Sequence, residues 1–421
     1  MTDLRKDASE IIKKSIRAVL PGPNVKKALT ELDLSGFDSV RVIAVGKAAV
    51  TMAKAAEEVL GDAITEGFVI TKYGHLRGLL RHFKCFEAGH PTPDKNTFRA
   101  TDEVIEHVKD LTEKDLVLFL LSGGASALFE KPVTSEEELA SITGQLLQSG
   151  ADITEINTVR KHLSFVKGGR FAAICAPAHV HTVILSDVLG SELNVIGSGP
   201  TCPDPSTGED AFSIIEKYHI RMNADTIETL MNETPKALAN VDFSVIGDIT
   251  QLCEAAKEAC EELGYQTAVL TDALTCEARE AGSFLSSIAK TYQNTSESLA
   301  FIAGGETVVH VKGEGKGGRN QELVLSAASG IAGLKDTCIF SVGSDGTDGP
   351  TDAAGALADG TTLAALKAEG IDPYRVLENN DAYHALKAVK SLVVTGPTGT
   401  NVNDLSVILI KRETPEEAAE A

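Results

Sequence analysis

The chain has 421 residues, which predicts two or three domains with an ample hydrophobic core. Its 39 basic and 60 acidic residues give a net charge of −21, which argues against nucleic acids and anionic membranes as partners. No apolar run approaches the roughly 18 residues of a membrane-spanning helix, and the seven cysteines lack a C-x-x-C pair, so we predict a cytoplasmic protein with reduced thiols.

The first predicted element is an amphipathic helix that ends before Pro21. Its apolar positions Ile11, Ile12, Ile16 and Val19 recur at the spacing of one helix face. The segment lacks the apolar stretch of a secretory signal peptide, so we expect it to be part of the folded protein.

Predicted strands and helices then alternate as far as residue 240. The strands are nearly continuous apolar runs, as expected for a parallel sheet that is buried on both faces. They are Val40–Val45, Gly67–Thr71, His82–Glu87, Leu116–Leu121 and His181–Leu185. This alternation predicts a doubly wound α/β domain over residues 1–240, with functional residues at the carboxyl ends of its strands.

Polar and small residues follow four of these strands. Lys47 follows the first strand, His90 the third and Asp187 the fifth. Ser122, Gly123, Gly124 and Ser126 follow the fourth, where small side chains let a ligand approach backbone amides. We predict ligand contacts here, although His90 is equally suited to cap the next helix. The segment GGASAL lacks the last glycine of a nucleophile elbow, which disfavours a serine hydrolase.

A basic stretch, NTVRKHLSFVKGG, contains Asn157, Arg160 and Lys161. Because the chain is strongly acidic, the positive field that an anionic ligand needs has to be local. We therefore predict that these three residues contact substrate or nucleotide.

Residues 241–404 repeat the α/β pattern and predict a smaller C-terminal domain. Its strands are predicted at Phe243–Gly247, Thr267–Leu270, Ala300–Ala303, Thr337–Val342 and Leu392–Thr395. Leu405–Ile410 is predicted as a closing strand. The segment 405–421 is a candidate to pack back on the N-terminal domain.

The glycine-rich stretch Gly304–Glu322 is the strongest candidate for a phosphate cradle. A predicted strand, Thr307–Val311, leads into GEGKGG and then into a helix that begins near Arg319. Glycine amides and a helix N-terminus attract anions, and Lys316 and Arg319 add two positive charges. The same glycines match G-x-G-x-x-G, but the acidic residue expected at the end of a second strand is misplaced. A dinucleotide therefore remains the weaker alternative.

Carboxylates follow the later strands at Asp345, Asp348, Asp352 and Asp404. Phosphoryl transfer combines cations that neutralise charge with carboxylates that bind Mg²⁺. We predict Asp345 and Asp348 as the Mg²⁺ ligands. A loop of this kind can also satisfy its own turns or bind Ca²⁺, and both alternatives stay open.

Ten motifs, considered together, resemble the class II glycerate kinases, which are glycerate 2-kinases with a C-terminal MOFRL domain. They span nearly the whole chain. The motifs are GKAA at 46–49, GHPTPD at 89–94, LSGGASAL at 121–128, NTVRKHLSFVKGG at 157–169, SDVLG at 186–190, GSGPT at 197–201, GGET at 304–307, GGRNQE at 317–322, GSDGTDGPTDAAG at 343–355 and TGPTGTNVNDL at 395–405.

The resemblance implies ATP- and Mg²⁺-dependent phosphorylation of D-glycerate, mainly at the 2-hydroxyl, to give 2-phosphoglycerate and ADP. It also implies a Rossmann-like N-terminal domain, a MOFRL-type α/β domain and an active site in the cleft between them. The alternatives are the 3-phosphoglycerate product and an NAD(P)-dependent glycerate or hydroxypyruvate oxidoreductase. Monomer and homodimer both remain open.

Under this hypothesis Lys47 neutralises the transferred phosphoryl group, and Asp187 orients or deprotonates the acceptor hydroxyl. Asp345 is the main Mg²⁺ ligand, although Asp187 and Asp345 can exchange roles. Arg319, or else Arg160 with Lys161, clamps the glycerate carboxylate. Further predicted contacts are Glu306, Asn320, Gln321, Thr400 and Asn401.

Overall fold

A computed structural model describes residues 4–76 and 78–412 of the chain. The described chain divides into two compact units. One is Pro21–Ile246, and the other joins the N-terminal residues up to Leu20 to the chain from Gly247 onward. Each unit contains one six-stranded sheet.

The first sheet belongs to the N-terminal unit and has the strand order β3-β2-β1-β4-β5-β6. Its strands are β1 (Ser39–Val45), β2 (Ile64–Lys72), β3 (Phe83–Ala88), β4 (Asp115–Leu121), β5 (His179–Leu185) and β6 (Val241–Gly247). The pairs β1/β2, β1/β4, β2/β3 and β4/β5 are parallel. This order is that of doubly wound dinucleotide-binding folds and confirms the Rossmann-like prediction. The order reverses between β1 and β4, so ligands are expected at the carboxyl ends of these two strands.

The second sheet is mixed, with the order β11-β10-β9-β12-β8-β7. Its strands are β7 (Gln266–Leu274), β8 (Leu299–Gly305), β9 (Thr337–Gly343), β10 (Gly355–Asp359), β11 (Leu392–Val393) and β12 (Asp404–Ile410). β12 is antiparallel to both β8 and β9. Its first residue therefore lies beside the last residues of those two strands, which gathers three chain segments at one edge of the sheet.

Sixteen α-helices are found among the described residues. They are α1 (Leu4–Ala18), α2 (Pro21–Thr30), α3 (Ala49–Leu60), α4 (Lys95–Val108), α5 (Ala125–Leu128), α6 (Glu136–Ser149), α7 (Ile153–His162), α8 (Arg170–Cys175), α9 (Gly208–Lys217), α10 (Ala224–Leu230), α11 (Ile249–Glu262), α12 (Ala278–Thr291), α13 (Arg319–Gly330), α14 (Thr362–Ala368), α15 (Pro373–Glu378) and α16 (Ala382–Ala388). No helix in the described part is long and apolar enough to cross a membrane. All seven cysteines are free thiols.

The structure corrects the predicted domain boundaries in three places. α1 belongs to the C-terminal unit, where Tyr265 Oη donates a hydrogen bond to the buried Asp7 carboxylate at 2.6 Å. β6 joins the first sheet instead of opening the second domain. β12 is a buried interior strand of the second sheet and belongs to the C-terminal unit. Residues 413–421 of the predicted tail lie outside the described residues.

The predicted strand Thr307–Val311 is also wrong. Within it, only Val308 forms an isolated bridge, with Glu277. Its β-branched residues favour extended backbone, but strand formation also needs a neighbouring edge with unpaired groups. The apolar positions Val308 and Val311 are instead exposed.

Candidate active site

The loops after β1 and β4 are hydrogen-bonded to each other at the point where the strand order reverses. Lys47 N donates to Gly123 O at 2.9 Å, and Ala48 N donates to Ser122 Oγ at 3.2 Å. Ser122 N in turn donates to Val45 O at 2.9 Å. These bonds hold the Lys47 turn and the Ser122–Ser126 segment together at the expected ligand position.

Three predicted site residues converge on this segment. A methyl group at Gly123 would lie 2.1 Å from Asp187 Oδ2, so only glycine allows the carboxylate to approach this closely. A methyl group at Gly124 would lie 3.1 Å from His90 Nε2 and 3.3 Å from Lys47 Cε. The structure therefore brings Lys47, His90 and Asp187 to one glycine pair, as their strand-end positions predict.

The segment from Gly123 to Ser126 also carries amides that have no backbone partner in the described chain. Among residues 4–76 and 78–412, no backbone carbonyl accepts from the N–H groups of Gly123, Gly124, Ala125 or Ser126. Gly123 and Ala125 are buried, and buried backbone N–H groups are nearly always paired in folded proteins. N–H donors without a backbone acceptor, beside a lysine, suit an anionic ligand, and we call Gly123–Ser126 the amide loop.

His90 is half-buried next to this loop. Burial lowers the pKa of its imidazole, and the nearby charge of Lys47 lowers it further. The side chain is therefore favoured in its neutral form, which can both donate and accept a hydrogen bond.

Asn157 and Arg160 contact the amide loop from α7. Arg160 Nη2 donates to Ser126 O at 2.8 Å. The Ser198 hydroxyl links Asn157 Oδ1 to Ser126 Oγ, with both distances 3.2 Å. Both side chains thus support the loop; a direct contact with ligand stays a prediction.

Lys161 faces a different part of the N-terminal unit. Its buried ammonium donates to Asp204 Oδ1 at 3.2 Å. Asn157 and Lys161 also line a cavity of about 450 Å³, so a ligand contact for either residue stays a prediction.

In the C-terminal unit, Arg319 is held by two carboxylates. Its Nε and Nη2 donate to the two oxygens of Asp404 at 2.5 and 3.0 Å, and Nη1 donates to Glu306 Oε1 at 2.7 Å. Asn403 Nδ2 donates to the other Glu306 oxygen at 3.1 Å. Burial lowers the pKa of Arg319, but the neighbouring carboxylates, Asp404 foremost, together raise it overall. Within the described residues, three of the five guanidinium N–H groups are engaged, which leaves two for a ligand.

The sequence places Asp404 only among the carboxylates that follow predicted strands, and it assigns no role to Asn403. Both lie in the motif NVND at the start of β12, so the motif was a usable signal. Their contact with Arg319 and Glu306 arises from the antiparallel placement of β12, which no local pattern reveals.

Asp345 lies close to this group. A methyl group at Gly343 would lie 3.3 Å from Asp345 Oδ1 and 3.5 Å from Asp404 Oδ1. The Asp345 Oδ1 atom accepts hydrogen bonds from Thr347 N and Oγ1 at 2.8 and 3.0 Å. The side chain is half-buried, as suits a carboxylate that meets a ligand.

Asp348 has a structural role instead of the predicted metal-binding one. Its oxygens accept hydrogen bonds from the backbone N–H groups of Asn320 and Gln321 at 3.1 and 2.9 Å, at the start of α13. The amide side chains of the same two residues also donate to it. All three side chains are buried, so the structure replaces the predicted ligand contacts of Asn320 and Gln321 with a helix cap.

No group of three or more His, Cys, Asp or Glu side chains able to hold a metal occurs in the described part of the chain. Kinase Mg²⁺ sites usually need only one or two carboxylates, because phosphate oxygens and water complete the octahedron. Asp345 fits that requirement, since its half-buried carboxylate uses one oxygen for a local turn. Asp348 does not fit, since both of its oxygens cap α13.

The first part of the glycine-rich loop before α13 is hydrogen-bonded within the protein, and the phosphate cradle predicted there stays a prediction. The N–H groups of Lys312 and Gly313 donate to Asn380 Oδ1 at 2.8 and 3.0 Å. Those of Gly315 and Lys316 donate to Asn379 O and Asp381 Oδ1, each at 2.9 Å. The amides of residues 312–316 are therefore bound by the segment before α16, and ligand contacts of the amides of Gly317, Gly318 and Arg319 stay a prediction.

The two remaining predicted contacts lie in the loop before β12. Thr400 is buried, and its hydroxyl donates to Val19 O at 2.7 Å. This bond fastens the end of α1 and gives Thr400 a structural role. Asn401 is half-buried, and its Oδ1 accepts a hydrogen bond from Asn403 N at 3.4 Å.

Residues 7–232 match a family described as a domain of unknown function, DUF4147, and residues 299–404 match the MOFRL family. The chain is 54% identical to D-glycerate 2-kinase of Thermotoga maritima, over 97% of this chain and 98% of that protein. A crystal structure of glycerate kinase from Thermotoga maritima matches with a TM-score of 0.94 and 53% identity, over 97% of this chain and 99% of that one. A putative hydroxypyruvate reductase of Agrobacterium vitis is 40% identical, over 88% of this chain and 86% of that protein. The chain therefore belongs to the glycerate 2-kinase family, in which a DUF4147 domain is followed by a MOFRL domain.

Proposed function

We propose that this protein transfers the γ-phosphoryl group of ATP to the 2-hydroxyl of D-glycerate, giving 2-phosphoglycerate and ADP. Its 54% identity to a D-glycerate 2-kinase over nearly the full chain supports the reaction. The observation that carries the proposal is the run of N–H groups in Gly123–Ser126 to which the described residues offer no backbone acceptor, beside Lys47 and Asp187. Amide donors, a cation and a carboxylate are the groups that an in-line phosphoryl transfer uses.

The amide loop and Lys47 bind the phosphate chain in this proposal. Phosphoryl transfer spreads negative charge over the oxygens of the transferred group, and preorganised N–H donors stabilise that charge without reorganising. Lys47 adds a full positive charge at the same place. Asp187, at the end of β5, orients the 2-hydroxyl and accepts its proton.

Arg319 binds the glycerate carboxylate through the two N–H groups that Asp404 and Glu306 leave available. Those two carboxylates fix the guanidinium plane, so little side-chain entropy is lost when the substrate binds. Asp345 is the residue that we assign to Mg²⁺, which, when bound, neutralises charge on the phosphate oxygens.

A coupled assay tests the reaction and its regiochemistry together. The protein is given D-glycerate, ATP and Mg²⁺, followed by enolase alone or by phosphoglycerate mutase with enolase. We expect product with enolase alone, which reports 2-phosphoglycerate. Product that appears only when the mutase is added would identify 3-phosphoglycerate and overturn the assignment of the 2-hydroxyl.

The alternative is a hydroxypyruvate reductase, the name carried by the Agrobacterium vitis relative. Such an enzyme needs a dinucleotide site, and the G-x-G-x-x-G match at Gly313, Gly315 and Gly318 was the sequence feature in its favour. The amides of Gly313 and Gly315 are already bound by Asn380 and Asn379, and Asp348 caps the following helix. NADH oxidation with hydroxypyruvate in the absence of ATP would nevertheless replace our proposal with this one.

We further propose that the protein acts in the cytoplasm, in keeping with its seven free thiols. Its substrates are small molecules, and whether it is a monomer or a homodimer stays open.

A further inference from the structure

A buried lysine that the proposed reaction does not use supports the amide loop from behind. Lys167 Nζ donates to Ser126 O at 2.9 Å and to Phe129 O at 3.0 Å. Its side chain is completely buried. Arg160 Nη2 donates to the same Ser126 carbonyl at 2.8 Å, so two cations converge on one backbone oxygen.

Glu130 supplies the counter-charge. Its Oε2 lies 3.4 Å from Lys167 Nζ and 3.9 Å from Arg160 Nη2. Ser164 Oγ donates to the other carboxylate oxygen. Glu130 is itself fully buried and follows directly on Phe129, whose carbonyl Lys167 binds.

Removing several charges from water has a large desolvation penalty, so such a cluster adds little to the free energy of folding. Well-packed apolar side chains of similar volume usually stabilise a protein at least as well as a buried ion pair does. A buried charge network does, however, fix the geometry of the groups that it binds. Here it binds the carbonyl of Ser126 inside α5 and that of Phe129 just after α5, and thereby sets the orientation of the amides at the start of this helix.

We propose that Lys167, paired with Glu130, is a positioning residue that holds the amide loop in the conformation that binds the ATP phosphates. The inference rests on the proposed kinase function. Lys167 touches neither substrate nor the reacting atoms, so it acts only through the Gly123–Ser126 backbone.

The protonation state of Lys167 provides a readout of this role. Burial lowers the pKa of Lys167 to about 8, although the charge of Glu130 opposes that effect. The charged groups that face it are Glu130 and Arg160. Loss of its proton above pH 8 would weaken the hold on both carbonyls.

The test compares Lys167→Met with the double variant Lys167→Met/Glu130→Gln, in which no uncompensated Glu130 charge stays buried. Lys131→Met is the matched control, because Lys131 lies beside Glu130 in sequence but pairs with the surface residue Asp102. For each protein we would measure the affinity for a non-hydrolysable ATP analogue by calorimetry, the KM values for ATP and glycerate, and kcat from pH 6 to 10.

We expect the double variant to stay folded and to bind the ATP analogue about tenfold more weakly, equivalent to the loss of one charge-assisted hydrogen bond. The KM of the double variant for glycerate should change less than about twofold. The ATP-analogue affinity and the KM values of Lys131→Met should also stay within about twofold of the wild-type values. The alkaline inflection of kcat/KM for ATP near pH 8 should be present in the wild type and absent from the double variant, which a purely structural role does not predict.

The outcomes separate the two proposals. A wild type that phosphorylates glycerate, with unchanged ATP affinity and an unchanged pH profile in the folded double variant, would overturn the role of Lys167 alone. If instead the wild type neither binds the ATP analogue nor phosphorylates glycerate, the proposed function fails and this inference falls with it. If Lys167→Met misfolds, the measurements on the double variant decide whether Lys167 positions the amide loop.

Discussion

At the scale of single residues, Gly123 and Gly315 show how the same residue type serves different neighbours. A methyl group at Gly123 would meet the Asp187 carboxylate at 2.1 Å, while one at Gly315 would meet Asp381 Cβ at 2.4 Å. The first glycine leaves room for a reactive side chain and the second for packing of the chain on itself. A glycine pattern alone therefore does not identify a ligand site.

The Gly123→Ala variant should lower kcat about 100-fold, because displacing the Asp187 carboxylate by an ångström disrupts its alignment with the acceptor hydroxyl. Gly144→Ala is the matched control, since a methyl group at Gly144 meets nothing within 4 Å. Steady-state kinetics and thermal melting of both variants check the prediction. Unchanged kcat in a folded Gly123→Ala protein would contradict the role of Asp187.

The Lys47→Met variant should lower kcat by about 100- to 1,000-fold while the KM for glycerate changes little. The reason is that the Lys47 charge stabilises the transition state more than it stabilises the bound substrates. The control is Lys54→Met, on the exposed face of α3. An effect confined to KM would instead make Lys47 a ground-state binding residue.

At the scale of elements, α13 shows that a helix N-terminus after a glycine loop can be capped by a distant part of the chain. The amides of its second and third residues, Asn320 and Gln321, donate to the protein's own Asp348 carboxylate. The sequence predicts the start of this helix at Arg319, and the structure confirms it. The carboxylate that caps it lies 27 residues beyond Gln321, so helix-capping rules based on neighbouring residues cannot find it.

Asp348 should make the stability of the C-terminal unit depend on pH. Burial raises its pKa to about 6, although hydrogen bonds from Gln321 and Asn320 oppose that effect. A carboxyl group whose pKa is raised on folding stabilises the fold at low pH, and this contribution is lost as the pH rises through 6. Between pH 5 and 7.5 the loss should be about 1 kcal/mol.

Urea unfolding of wild type and Asp348→Asn at both pH values tests this expectation. The variant, which cannot ionise, should gain stability relative to the wild type as the pH rises. A difference that is the same at pH 5 and 7.5 would show that Asp348 does not titrate in this range.

At the scale of the whole molecule, the two described ends of the chain belong to the same unit. α1 and β12 both lie in the C-terminal unit, where Asp7 accepts hydrogen bonds from Tyr265 Oη at 2.6 Å and Lys411 Nζ at 2.8 Å. The N-terminal unit is consequently one continuous segment, Pro21–Ile246, and the C-terminal unit is not. The location of the active site in a cleft between domains stays a prediction.

The Tyr265→Phe variant should destabilise the C-terminal unit by about 1–3 kcal/mol, because it removes a donor from the buried Asp7 carboxylate. Tyr374→Phe, at a side chain that is 72% exposed, is the control. Thermal melting followed by circular dichroism measures the difference. Equal melting curves would contradict the docking of α1 on this unit.

Local patterns in the sequence were enough to predict most strands and helices, the doubly wound N-terminal fold and the convergence of Lys47, His90, Gly123 and Asp187. This succeeds because apolar periodicity follows from burial, and because the carboxyl ends of neighbouring parallel strands share one edge of a sheet. The motifs also identified the family, since they occur in order along nearly the whole chain.

Other features depend on contacts between residues far apart in the chain. Four such contacts join residues that are tens or hundreds of positions apart. They are the bond from Arg319 to Asp404, the cap of Asp348 on α13, the bond from Tyr265 to Asp7 of α1, and the binding of the glycine loop by Asn379–Asp381. Neither propensity nor spacing encodes which distant carboxylate or carbonyl a given N–H group meets. Packing in three dimensions determines that, and it binds the amides of residues 312–316 of the glycine loop within the protein while bringing Lys47, His90 and Asp187 to Gly123 and Gly124.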